Sequence, residues 1–472
     1  MALFSSLESF GKRTALISPK YGVLKYLDII NYESKLKEII KNEALIIIIS
    51  TNSFIPIITY IFAIRNNCKV MMIDSKTKIE EIKKIINIYQ HDYVILPERM
   101  YKETSFASNK KLLSDYDYAV IENIKLNRNI NKVNKKISLL LPTSGSMGSP
   151  KFVMLSQKNI TSNTKSIIQV LNIRKNDRAI TTMPMSYTYM LSIINTHIDV
   201  GASIVVTEDS LISREFWDTY NQNNITSFSG VPYLFEMLKK LKFEKIFLPS
   251  LKTITQAGGK LDKNIIKAIY SICEKHDVNF IIMYGQTEAT ARISYLDYKH
   301  LNKKIGSIGK VIPGGKMWLE DTSEKIIAKP GKKGQLIYEG PNVFLGYANN
   351  LSDLIKPKKQ IKKLKTGDIA SFDKDNFFYI EGRIKRIAKI FGIRFNLDEI
   401  EDRMLKLNFE IFCRDSEEKL IVYFDKKYSE KDVLMNLSSI TRQNKVAFKC
   451  IKLSSIPRTN SGKVDFGKLG KI

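Results

Sequence analysis

Apolar residues fall in short dense runs separated by lysine-rich amphipathic stretches, an alternation that predicts strands and helices layered in an α/β fold. Ile46, Ile47, Ile48 and Ile49 form an unbroken β-branched run, which suits a strand buried on both faces. Val70-Met71-Met72-Ile73 would be its parallel neighbour. Residues 93–96, 137–141, 202–207 and 279–284 read as further strands, and 263–276 carry apolar side chains at helical spacing. Residues 44–64 bear no charge and are about as long as a membrane span. Ser50-Thr51-Asn52-Ser53 and Pro56 interrupt them, so strand, turn and helix is the better parse, with no membrane span. From about residue 382 a smaller α+β pattern begins, with strands expected at 419–423 and 449–453. A chain of 472 residues is too long for one simple core. The expected division is therefore 1–381, a large multi-layer α/β domain, and 382–472, a small α+β domain.

Composition changes this picture little. Cys68, Cys273, Cys413 and Cys450 stand far apart, so neither a disulfide scaffold nor a zinc site is suggested. The first ten residues lack the basic and apolar regions of a signal peptide, and a cytoplasmic location is expected. The net charge of +27 admits nucleic acid, anionic lipid or an acidic protein as partner. Its lysines are spread along the whole chain, however, and no nucleic-acid-binding motif accompanies them. Only residues 356–365 concentrate charge, as a candidate docking patch for an acidic carrier protein.

Candidate chemistry centres on Leu141-Pro142-Thr143-Ser144-Gly145-Ser146-Met147-Gly148-Ser149-Pro150-Lys151. Hydroxyls, glycines and a lysine crowd one turn after a buried strand. Glycine lets backbone N–H groups approach a phosphate closely. It is not a Walker A loop, since no Gly-Lys-Ser/Thr closes it.

The loop resembles the phosphate loop of the adenylate-forming (AMP-binding) superfamily, which includes acyl-CoA synthetases, luciferases and peptide-synthetase adenylation domains. The likeness continues in order. Tyr284-Gly285-Gln286-Thr287-Glu288 resembles the Tyr-Gly-x-Thr-Glu segment. The glycine-bearing stretch 334–341, followed by Gly346-Tyr347, resembles the next one. Thr366-Gly367-Asp368 matches Thr-Gly-Asp. Gly382-Arg383, with Lys389, Gly392, Arg394 and Glu399-Ile400-Glu401, resembles the interdomain hinge and the segment C-terminal to it. Pro457-Arg458-Thr459-Asn460-Ser461-Gly462-Lys463 resembles the closing motif with its catalytic lysine.

The resemblance implies an adenylation domain over 1–381 and a mobile C-terminal domain over 382–472, and it assigns roles. Thr143, Ser144, Gly145, Ser146, Gly148 and Lys151 would hold the ATP phosphates. Thr287 would bond the α-phosphate, and Glu288 would ligate Mg²⁺, a hard cation that takes oxygen ligands. Asp368 would accept from the ribose hydroxyls, with Arg383 supporting the sugar. Tyr284, Gly285, Gly258 and Gly259 would flank the nucleotide. Lys463 would neutralise charge between the acid and the α-phosphorus. Lys385 would be the hinge, and Gly392 would approach the pantetheine arm of coenzyme A or of a carrier protein.

Two positions depart from the family pattern. Met147 stands where Thr or Ser is usual, and Phe152 replaces the glycine that commonly follows the lysine. Tyr187, Tyr189, Met190, Val231 and Gln286 suggest a mixed apolar and polar acid pocket. Tyr187 takes the place of a histidine common in acyl-CoA synthetases, and no aspartate is present there to pair with an α-ammonium. His91, His197, His276 and His300 read as structural or surface residues. The expected activity is ATP-dependent conversion of a small carboxylic acid to an acyl-adenylate, then transfer to a thiol, foremost coenzyme A. Loading of a carrier protein is one alternative; a non-catalytic relative that binds nucleotide or acyl groups is another.

Overall fold

The computed structural model describes residues 2–103, 110–123, 133–142, 151–246, 249–356, 361–390, 393–416, 419–441, 443–459 and 464–469. The chain forms two compact units. The first comprises Met1–Gly306, Val311–Gly315 and Glu339–Lys362; the second comprises Ser307–Lys310, Lys316–Tyr338 and Lys363–Ile472.

Two large sheets make up most of the first unit. One runs in the order Gly346–Ala348, Phe152–Leu155, Leu139–Pro142, Lys69–Asp74, Leu45–Ser50, Tyr93–Pro97, Tyr118–Glu122 and Lys110–Asp115. Its centre is parallel, with Ile46 opposite Val70 and Ile48 opposite Met72. Every residue of Leu45–Ser50 is buried, as a strand covered on both faces requires. The helix Phe54–Arg65 follows it and is apolar and buried all round. This is why residues 44–64 read as uniformly apolar, and among the described residues no helix is long and apolar enough to cross a membrane.

The other sheet runs from Lys310–Val311 and Ser294–Leu296 through Asn279–Tyr284, Thr253–Gln256, Ser227–Gly230, Arg178–Ile180 and Ser203–Val205 to Thr14–Ser18 and Gly22–Lys25. Helix Lys263–Lys275 starts where expected, because Asp262 accepts from the N–H groups of Asn264 and Ile265.

In the second unit, Lys316–Glu320, Gly334–Glu339, Lys363–Phe372 and Phe378–Arg383 form a four-stranded sheet. A three-stranded sheet of Ile411–Asp415, Leu420–Asp425 and Phe448–Leu453 packs with the helices Leu397–Lys406 and Glu430–Thr441 around Val422, Phe424, Met404 and Leu437. The sequence pattern changes at 382, which falls inside this unit. Compactness gathers residues from 363 onward because Lys363–Phe372, the longest strand of the four-stranded sheet, pairs with Phe378–Arg383, with Asp368 opposite Arg383.

Candidate active site

The strands Leu139–Pro142 and Phe152–Leu155 pair antiparallel, with Pro142 opposite Phe152. The glycine-rich loop is therefore the connection of a hairpin at the edge of the parallel core. Thr143, Ser144, Gly145, Ser146, Met147 and Gly148 lie outside the described residues. Phe152 is fully buried and packs edge-on against Tyr89, ring centroids 5.4 Å apart. The departure noted at this position is a core side chain of the hairpin's second strand.

Strand Gly346–Ala348 pairs with Phe152–Leu155 on the other side, with Tyr347 opposite Val153. Residues 151 and 153 share a face, so Lys151 is the diagonal neighbour of Tyr347. Its ammonium sits 3.5 Å from the centroid of the Tyr347 ring. The hydroxyl of Tyr347 donates to Glu288 Oε1 at 2.8 Å. Burial, then the Glu288 charge, hold that phenol well above its ordinary range, so it remains a donor. One half-buried ring thus links the end of the glycine-rich loop to the Thr-Glu turn.

That turn is held by main-chain oxygens. Thr287–Ala289 is a single 3₁₀ turn after the strand Asn279–Tyr284. Thr290, a β-branched residue, closes it at φ +64°, a conformation that persists only where neighbours impose it. They do so here. Thr290 Oγ1 donates to Asn342 O at 2.7 Å, and Thr188 Oγ1 donates to Thr290 O. Asn342 Nδ2 donates to Ala289 O at 2.8 Å and to Arg292 O at 3.0 Å. Phe344 N donates to Glu288 O at 2.9 Å. Gly285 is required by close approach, since a Cβ there would lie 1.8 Å from Ala291 O.

Glu288 is one carboxylate, and among the described residues no cluster of three or more His, Cys, Asp or Glu could hold a metal. That donor set fits Mg²⁺, which binds through one or two carboxylates together with substrate phosphates and water. It does not suit an ion held by protein alone.

Tyr187, Val231 and Gly258 converge. Gly258 has φ +85°, and a Cβ there would meet Tyr187 Oη at 2.7 Å and Val231 Cγ1 at 2.9 Å. Gln256 Nε2 fixes the same turn by donating to Gly259 O at 2.9 Å. Tyr189 and Met190 open the helix Thr188–Asp199 and are buried. The Tyr189 hydroxyl bonds Thr255 Oγ1 at 2.7 Å, and its ring carries the Arg292 guanidinium at 3.8 Å. Gln286 Nε2 is buried and has no hydrogen-bond partner among the described residues.

In the second unit, Gly367 takes φ +79° and Asp368 is buried. Arg383 Nε donates to Asp368 Oδ1 at 3.0 Å, and Arg383 N donates to Asp398 Oδ2 at 2.9 Å. Lys385 lies in the short turn Ile384–Arg386, beside which Arg386 pairs with Asp398 at 3.1 Å and with Glu401. Gly392 and Lys463 lie outside the described residues; Arg458 and Val464 form an isolated antiparallel bridge. Within the basic stretch 356–365, Lys363 pairs with Glu320 at 2.6 Å.

Sequence reasoning did not single out Tyr347, Asn342 or Arg292. Tyr347 had a signal, since it follows Gly346 in a family segment. Of the histidines, His91 and His197 are buried. His197 Nδ1 is 2.9 Å from Ile193 O and Nε2 is 3.2 Å from Ser227 Oγ.

The family model for AMP-binding enzymes matches residues 36–348. An oxalate–CoA ligase of Arabidopsis thaliana is 26% identical over 352 residues, covering 69% of this chain and 66% of the relative. A D-alanine–D-alanyl carrier protein ligase of Bacillus cytotoxicus is 26% identical over 362 residues, covering 70% and 69%. Across the first relatives matched, the alignment spans 54% to 66% of their length. The structure of an o-succinylbenzoate CoA synthetase from Bacillus subtilis, bound to its acyl-adenylate intermediate, superposes with a TM-score of 0.77 at 17% identity over 99% of this chain and 98% of that one. The chain has that fold, and with two thirds of its length matched by the family model it belongs to the AMP-binding enzymes.

Proposed function

We propose that this protein is an AMP-forming acid–thiol ligase that activates a small carboxylic acid with ATP and passes the acyl group to a thiol, foremost coenzyme A. The observation that carries the reading is the Tyr347 ring. In a chain of this family it joins Lys151, at the end of the glycine-rich loop, to the carboxylate of Glu288.

The chemistry follows from charge. A carboxylate oxygen attacks the α-phosphorus of ATP, the bond to the β-phosphate oxygen breaks, and pyrophosphate leaves. Negative charge builds at phosphorus and on the leaving group, so catalysis is positioning and electrostatic stabilisation. Lys151 and the N–H groups of residues 143–148 hold the β- and γ-phosphates. Thr287 bonds the α-phosphate, and Glu288 with the phosphates holds Mg²⁺, which supplies charge neutralisation. Tyr284, Gly258 and Gly259 flank the adenine, and Asp368, steadied by Arg383, accepts from the ribose hydroxyls. Lys463 bridges the acid and the α-phosphate. Residues 382–472 then turn about Lys385, and Gly392 meets the pantetheine arm; the thiolate attacks the acyl carbon and AMP departs.

Acid-dependent pyrophosphate release from ATP and Mg²⁺, with and without coenzyme A, tests the reading. Release stimulated by coenzyme A, and abolished by Lys463→Ala, is the expected result. Transfer to an acidic carrier protein through its phosphopantetheine, the alternative, would fall steeply with salt. Silence across a broad acid panel with ATP bound would leave a non-catalytic relative.

A further inference from the structure

Arg292 is an arginine of the first unit for which the phosphate chemistry has no use. It is 3% exposed. Its Nε lies 3.3 Å from Met283 Sδ, its Nη1 reaches Ala291 O only at 3.5 Å, and its plane rests on the Tyr189 ring. Among the described residues it makes no ion pair, and the neighbouring phenols of Tyr189 and Tyr187, pushed up by burial, stay neutral and supply no counter-charge. A guanidinium stays protonated in a protein. A buried charge without a counter-charge is strongly disfavoured, which makes this position a receptor for an anion.

The space around it agrees. Arg292 lines a cavity together with Ser192, His197, Ser227, Ser229 and Thr255. Its volume of about 30 Å³ accommodates roughly two waters, or the two oxygens of a carboxylate. Asp177 also borders it, but that carboxylate pairs with Lys252 at 3.3 Å and accepts from Arg174 N at 2.7 Å. The cavity adjoins the residues assigned to the acid. The Tyr189 ring, over which the Arg292 guanidinium lies, meets the Tyr187 ring edge-on at 6.4 Å, and Tyr187 covers Gly258. On the other side the Arg292 main chain lies directly against Gly285.

We propose that Arg292 is a specificity residue of the acid site and receives a second carboxylate, so that the acid activated is a short dicarboxylic acid. The proposal rests on the ligase reading above. A planar guanidinium matches a carboxylate with two parallel hydrogen bonds. A straight-chain monocarboxylic acid would instead press methyl groups against an unpaired cation.

The test compares matched pairs, succinate with butyrate and glutarate with valerate, in the pyrophosphate-release assay on the full chain. Wild-type protein should favour the dicarboxylate by about 10- to 100-fold in kcat/KM, the range of a charge-assisted contact. Arg292→Met should erase that preference, and Arg292→Lys should retain part of it. Efficient use of the monocarboxylates, with selectivity unchanged in Arg292→Met, would overturn the proposal and leave the ligase reading standing. If no acid releases pyrophosphate the ligase reading fails, and thermal unfolding decides the anion site separately. A rise in Tm with succinate but not with butyrate or chloride, lost in Arg292→Met, would sustain it; no such difference would overturn it. Without ligand, Arg292→Met should melt no lower than wild type, whereas a merely structural arginine would lower Tm on removal.

Discussion

Tyr347→Phe isolates one oxygen atom at the centre of the site. The ring that carries Lys151 stays, and the hydroxyl donating to Glu288 at 2.8 Å goes. A hydrogen bond to a charged group contributes about 1.5–3 kcal/mol. Tyr347 and Lys151 are both only half-buried, which moves the expected loss to about 1 kcal/mol. Affinity for ATP·Mg²⁺ should then fall about fivefold, since each 1.4 kcal/mol is a factor of ten. Tyr347→Leu removes the cation–π contact as well, a further 0.5–1 kcal/mol or so at a partly exposed site, for a combined loss of about 10- to 30-fold. Calorimetric titration of ATP at saturating and at limiting Mg²⁺ separates the two effects. The hydroxyl should matter most where Mg²⁺ is limiting, because it orients the metal-binding carboxylate. The ring should matter at both concentrations, because it orients Lys151. If Tyr347→Phe binds ATP·Mg²⁺ like wild type at both, the ring does not couple the loop to the turn, and the reasoning is refuted.

Gly285→Ala should destabilise the first unit by at least about 3 kcal/mol, since the new methyl would overlap the Ala291 carbonyl and only backbone movement could relieve it; chemical denaturation would show this, and a near-wild-type midpoint would contradict the close approach. Burial lowers His91 to about 4 from its ordinary 6.5. The folded state therefore resists protonation, and stability present above pH 6.5 should be lost between pH 6.5 and 4, by about 1.4 kcal/mol per pH unit and about 3 kcal/mol in all. Denaturant midpoints of wild type and His91→Leu over that range should diverge in slope, and parallel curves would rule the histidine out. Asp368→Asn keeps the shape of the buried side chain but removes the charge facing Arg383 Nε; ATP affinity should drop at least about tenfold with a stability change of roughly 1 kcal/mol, and comparable nucleotide binding in this variant would remove Asp368 from the ribose site.

What could be read from the sequence was whatever lies in local pattern. The run at Ile46–Ile49 identified a strand without further help, because a strand buried on both faces needs no alternation. The apolar spacing over 263–276 marked a helix, and the glycine-rich loop was placed by the strand before it. Phe152 looked like a defect in the loop because its partner, Tyr89, is distant in sequence. Arg292 looked like one more cation in a basic chain, since burial and the lack of a counter-charge belong to the packed state alone. Tyr347 acquires its bond to Glu288 only when a strand from residues 346–348 is laid beside residues 152–155. The four-stranded sheet of the second unit likewise draws strands from both sides of residues 339–362, a grouping that a linear scan cannot see.

The Thr287–Thr290 turn is clasped by side-chain amides and hydroxyls that grip main-chain oxygens, whereas Arg292 meets its surroundings through its own side chain. Asn342, Thr188 and the Phe344 amide would grip the same carbonyls whichever residues occupied positions 187, 189 and 292. Under the proposed function, recognition of the acid by Tyr187, Tyr189 and Arg292 would rest on different groups from those that fix Thr287 and Glu288 beside the phosphates. Such a chain can drift from one acid to another by changing a few side chains, while its adenylating apparatus is inherited intact.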